Sequence, residues 1–271
     1  MATDGLTLLV WPVIVVLVGV AVVVANQPRS TKDLSTHSHR QLIGYAGLVL
    51  PLALPCIAAL RPTGLTVAEL DSVSSYYYTG AVAFFTGTLV ALAAFLFTYR
   101  GYDNPNKVYD RIAGFVAGGA ASGVAVFPTK APHESLAPAW WVPLTGQIHY
   151  GSTIVLFLTF ACFALFLFPQ TNPAGQKPAK DRPLPPDKRW RNRFYILCGL
   201  VMVVCLIWAA IALNNDKPIY WPETIALAAF ALSWLVKGRF ELTLVSAGKS
   251  TWRYVRHPGE VVNRIRTLRC G

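Results

Sequence analysis

Lys188-Arg189-Trp190-Arg191-Asn192-Arg193 runs without a break into Phe194-Tyr195-Ile196-Leu197-Cys198-Gly199-Leu200-Val201-Met202-Val203-Val204-Cys205-Leu206-Ile207-Trp208-Ala209-Ala210-Ile211-Ala212-Leu213. The basic cluster is followed by a run without a single charge. About 20 such residues make a helix that crosses a hydrocarbon core about 30 Å thick. A cluster of Lys and Arg at one end marks the side retained in the cytoplasm during insertion.

Working outward, six more stretches read the same way: Leu6–Ala25, Gln41–Leu60, Thr79–Tyr99, Ile112–Thr129, Gln147–Phe168 and Pro222–Val236. With Phe194–Leu213 they make seven spans, numbered one to seven in chain order. The composition agrees: 54% of the 271 residues are hydrophobic and 14% are charged, against roughly 25% charged in an average soluble domain. The expectation is an all-α, polytopic bundle of seven transmembrane helices over residues 1–238, followed by a basic tail over 239–271. The tail is too short for a core of its own.

The polar pieces between spans sort the charge. Of the 24 Lys and Arg, only Arg61, Lys130 and Lys217 fall in the odd-numbered pieces. The even-numbered pieces are therefore cytoplasmic, which puts the N-terminus outside and the C-terminus inside. Met1-Ala2-Thr3-Asp4-Gly5 lacks the basic segment of a signal peptide, so span one reads as retained. The net charge of +11 belongs to one face. It points to anionic lipid headgroups at a bacterial inner membrane rather than to nucleic acid. Lys188, Arg189, Arg191 and Arg193 are the expected contact for headgroups or for a cytoplasmic protein.

Pro51 and Pro55 should kink span two. Gly114, Gly118, Gly119 and Gly123 in span four form small-x-x-x-small pairs that let helices approach closely, which suggests a central place for that helix. Cys56, Cys162, Cys198 and Cys205 lie inside spans and Cys270 is second from the end, so there is no disulfide framework or C-x-x-C metal site. The five histidines, His37, His39, His133, His149 and His257, form no i, i+4 pair, and only His133 and His149 share a side. No metal and no cofactor is expected.

No span has Asp, Glu, Lys or Arg near its middle, which disfavours pumps, voltage sensors and ion-coupled transport. Span seven lacks a central Lys and cannot hold a retinal Schiff base. Polar residues gather instead at the outer ends. Asp71, Ser74, Ser75 and Tyr77 precede span three; His149 and Ser152 open span five; Glu223 opens span seven. A pocket formed by Ser74, Ser75, Tyr77, His149, Ser152 and Glu223 at the outer ends of spans three, five and seven would bind a lipid or small amphiphile. The same residues admit a hydrolase, with Ser75 as nucleophile, His149 as base and Glu223 or Asp71 as the orienting acid. Each also has a plain structural role available: Glu223 follows Pro222 at a helix start, where an acid caps. A small-solute transporter is a third reading, without a visible inverted repeat to support it.

Five stretches carry a resemblance: Ser72-Val73-Ser74-Ser75-Tyr76-Tyr77-Tyr78-Thr79, Tyr99-Arg100-Gly101-Tyr102-Asp103, Ala125-Val126-Phe127-Pro128-Thr129, Arg191-Asn192-Arg193-Phe194-Tyr195 and Ser233-Trp234-Leu235-Val236-Lys237-Gly238. Together they resemble a family of uncharacterised bacterial seven-helix integral membrane proteins, a domain-of-unknown-function group. The resemblance implies a seven-helix inner-membrane protein and brings no activity with it. A distant likeness links Ser75, Asp110 and His149 to ceramidase and adiponectin-receptor-like membrane hydrolases. The paired histidines of that superfamily's last helix have no counterpart in residues 222–237.

Overall fold

A computed structural model describes residues 33–66, 69–101, 107–170 and 186–240. Span one, the loop 171–185 and the tail beyond residue 240 lie outside the described residues. The six α-helices among them are α1 (Asp33–Leu60), α2 (Val82–Phe97), α3 (Lys107–Val126), α4 (Pro143–Cys162), α5 (Pro186–Leu213) and α6 (Tyr220–Lys237). They correspond in order to spans two to seven. No strand occurs among the described residues.

Three helical stretches are long and apolar enough to cross a membrane: His37–Leu60, Pro143–Leu167 and Asp187–Leu213, of 24, 25 and 27 residues. At 1.5 Å per residue these reach roughly 36 to 40 Å, more than a hydrocarbon core of about 30 Å. The helices overrun the apolar limits read from the sequence. α1 begins at Asp33 instead of Gln41, and α5 at Pro186 instead of Phe194, because a helix does not stop where hydrophobicity does. α4 continues from Cys162 into a π-helical turn, Phe163–Leu167, where the Phe168 amide donates to the Phe163 carbonyl at 2.8 Å.

Each helix packs on the next in chain order, and α6 closes the ring against α1. Glycine sets the approach of that closing pair. A Cβ on Gly44 would meet Leu235 at 2.8 Å, and one on Gly47 would meet the Phe230 ring at 2.7 Å. α1 runs unbroken through Pro51 and Pro55. Pro55 lacks an N–H, so the Pro51 carbonyl loses its helical donor. The Tyr220 hydroxyl of α6 donates to that carbonyl instead, at 3.1 Å.

The expectation for span four needs correcting. The glycines do give close packing: Gly114 and Gly118 abut α2, and Gly123 abuts Ser152 of α4. Yet Ile112, Phe115 and Val116 on α3 are exposed, so the helix is peripheral. Small residues shorten an interhelical distance on one face and say nothing about the other. The helix that is buried deeply is α6, with Phe230, Ala231 and Trp234 fully enclosed.

The end of the bundle that the charge pattern assigns to the inside holds charges that are buried. Arg40, Asp110, Arg191 and Lys237 are all buried, and Arg40 lies 5.8 Å from the Tyr99 ring centre. Lys237 donates to the Phe168 carbonyl at 2.9 Å and lies 5.0 Å from the Phe168 ring centre, a cation–π distance. Gln41 donates to the Gly238 carbonyl at 2.8 Å. These residues flank the apolar runs, so a reading centred on span midpoints passes over them.

Gly101 has φ +69° and its hydrogen faces Asp110 in direct contact. A side chain there meets both backbone strain and overlap. Gly101→Ala is expected to destabilise the protein by about 2–4 kcal/mol. Gly119→Ala, where a Cβ meets nothing within 4 Å, should leave stability unchanged. Thermal unfolding of both variants in detergent checks the pair.

Candidate functional site

The end of the ring that the charge pattern assigns to the outside contains a cavity of about 350 Å³, within the range typical of small-molecule sites. Its polar end is formed by Asp71, Ser74, Lys130, His149 and Glu223; Phe157, Cys205, Leu206, Ala209 and Ala226 make an apolar wall. A smaller space of about 40 Å³ continues toward the core past Ser74, Thr153, Phe157 and Glu223.

The segment before α2 is stitched to the start of α6. The Asp71 carbonyl accepts the Ile219 and Tyr220 amides at 2.7 and 2.8 Å. In return, the Glu223 carboxylate accepts the Val73 amide at 2.7 Å. Glu223 is 8% exposed and thus serves a neighbouring segment, beyond the helix-start capping its sequence position suggested.

Beside it, the Ser75 hydroxyl donates to Asp71 Oδ1 at 2.5 Å and lies 2.7 Å from the Ser72 hydroxyl. A short 3₁₀ turn, Ser74–Tyr78, then leads into α2.

His149 has a different partner. α3 ends at Val126, and the next three carbonyls turn away from any helical donor. His149 Nδ1 donates to Phe127 O at 2.6 Å, Trp141 Nε1 to Pro128 O at 3.3 Å, and the Tyr78 hydroxyl to Thr129 O at 2.5 Å. Burial pushes the Tyr78 phenol up to about 12, so it remains a donor throughout the physiological range. The carbonyl partner puts a proton on Nδ1.

Of the residues expected to form a pocket, Ser74, His149 and Glu223 line this one cavity, together with Asp71, a candidate orienting acid. Ser75 is buried behind it on Asp71. Tyr77 stacks edge-on against Tyr78. Ser152 faces Gly123. None of these three lines the cavity. Ser75 donates to Asp71 and His149 Nδ1 to Phe127, and no hydrogen bond joins the two side chains among the described residues. Among the described residues, no three His, Cys, Asp or Glu side chains converge as metal ligands would.

The sequence reading missed the wall from span six. Its signal was present: Cys205 and Ala209 recur at a spacing of four on one helical face, and small side chains leave volume. α2 contributes Phe85, Leu89 and Leu92 only to the inner extension.

At the inner end, the four basic residues of the juxtamembrane cluster separate. Arg189 and Arg193 are exposed. Lys188 is half-buried and donates to the Gln170 carbonyl at 2.9 Å. Arg191 is buried and pairs with Asp187 at 3.0 Å. Only two of the four thus present freely to a headgroup or partner.

Above the cavity, two outer loops are joined by Glu69. Oε2 accepts the Thr66 hydroxyl and amide, both at 2.6 Å, and Oε1 lies 2.6 Å from His133 Nε2. These hydrogen bonds, the Thr66 hydroxyl foremost, hold the carboxyl down to about 2. A lowered value stabilises the fold fully above the ordinary 4.5; that contribution disappears as pH falls toward about 2. Glu69→Gln should therefore be less stable than wild type at neutral pH, with the difference shrinking between pH 4.5 and 2. Thermal unfolding across that range measures it.

No family model, curated protein or solved structure matches the chain. The chemistry of the cavity rests on its own residues.

Proposed function

We propose that this chain is a seven-span membrane protein, N-terminus outside and C-terminus inside, that binds a lipid or small amphiphile in the outer cavity. The observation that carries the reading is the division of a single cavity. Carboxylates and an imidazole occupy one end, and an apolar wall from α4 and α5 occupies the other. An amphiphile has the same two parts. Membership of the bacterial seven-helix family is part of the proposal. Its support is that the resembling motifs group in space: Ser72, Ser74 and Thr129 around the cavity, Tyr99, Tyr195 and Trp234 in the inner aromatic cluster. The hydrolase reading loses ground because Ser75 and His149 are engaged elsewhere.

Filling the apolar wall tests binding. Ala209 lines the cavity and is half-buried. Ala209→Phe is expected to reduce co-purifying amphiphile, measured by native mass spectrometry, at least tenfold without lowering the unfolding temperature. Undiminished co-purification would remove the cavity from consideration. The orientation is tested separately. A fluorescent protein fused to the C-terminus should be fluorescent, as required of a cytoplasmic tail. A fusion that reports only an external C-terminus contradicts the proposed topology.

A further inference from the structure

The cavity's polar end carries two carboxylates, Asp71 and Glu223, beside the hydroxyls of Ser74 and Tyr150. Glu223 Oε2 holds the Val73 amide, and the residue, 8% exposed, lines the cavity. Asp71 Oδ1 holds the Ser75 hydroxyl. His149 Nδ1 donates to the Phe127 carbonyl. The one cation of the lining, Lys130, is exposed and so sits at the mouth. An anionic headgroup placed at the polar end would face two carboxylates. An ammonium group brings three donors and one positive charge.

The cavity wall is also open on one side. Ile154 of α4 and Leu213 of α5 both line it, yet they are 53% and 48% exposed. Both are apolar residues on the outer halves of helices long enough to cross a membrane. An apolar residue that lines a cavity and also reaches the surrounding hydrocarbon marks a side opening, not a packed wall.

Resting on the amphiphile reading above, we propose that the ligand is an aliphatic primary amine, single-chain or phospholipid, whose ammonium binds Glu223. Its chain leaves the cavity sideways between α4 and α5 into the outer leaflet. The volume of about 350 Å³ suits a headgroup and the first part of one chain. The rest of the chain stays in lipid, passing Ile154 and Leu213.

The test uses the full chain in phosphatidylcholine nanodiscs and two probes of equal length, dodecylamine and dodecanol. Dodecylamine is expected to bind at least tenfold more tightly. Glu223→Gln retains an oxygen for the Val73 amide and should lose that preference while still binding dodecanol. Equal binding of both probes by the wild type overturns the amine assignment and leaves the amphiphile reading standing. Binding of neither overturns both. Should the variant fail to fold, the wild-type ratio of the two probes decides alone. Competition by phosphatidylethanolamine names a membrane lipid as the source, and its absence a single-chain amine; either result supports the assignment. A diazirine carried in the amine's chain should label peptides containing Ile154 and Leu213. Labelling confined to the outer loops would rule out the side opening.

Discussion

A backbone carbonyl shut away from water must be given a donor. In apolar surroundings, leaving one unpaired costs several kcal/mol. The described helices break this supply at identifiable places, and at each a side chain from another element restores it. Tyr220 serves Pro51. His149, Trp141 and Tyr78 serve the three carbonyls after α3. Lys237 serves Phe168 just past the π-helical turn, and Gln41 serves Gly238. His39 does the same for Phe95 at 2.7 Å. The polar residues of this chain are in large part tertiary links, each tying one helix end to another.

That constraint shapes the outer cavity. His149 is held by Phe127, and Glu223 by Val73. Neither side chain can swing without releasing a buried backbone group. The cavity's polar end is therefore preorganised by bonds that serve the fold. The same bonds separate Ser75 from His149. They commit Ser75 to Asp71 and His149 to Phe127, where residue types alone suggested a catalytic pair.

The two ends of the bundle solve different problems. At the inner end, Arg40, Asp110 and Lys237 are buried, and Gly101 exists in a conformation that only glycine adopts easily, against Asp110. Charge there is consumed by packing. At the outer end the Asp71–Val73 segment and α6 satisfy one another's backbone and leave carboxylate oxygens facing a void. The sorting of Lys and Arg to one side thus identifies the abundant charge, while the cavity depends on a few acids on the other.

The sequence alone determined the helical class, the apolar stretches and the polar character of the outer ends, because these depend on the composition of continuous segments. His37–Leu60, Pro143–Leu167 and Asp187–Leu213 could be read directly as long apolar helices. Asp71, Ser74, His149 and Glu223 stood out as polar residues at helix starts. Tertiary structure alone decided which of these share a cavity. Ser75 and Ser152 sit within a few residues of cavity-lining neighbours, yet they turn toward Asp71 and Gly123. It also placed α5 in the wall, moved α3 to the periphery and buried the charges at the inner end. The reason is geometric: a span's composition reports whether a helix prefers lipid to water, but the direction of each side chain is set by helix rotation and by the neighbour whose carbonyl it must reach.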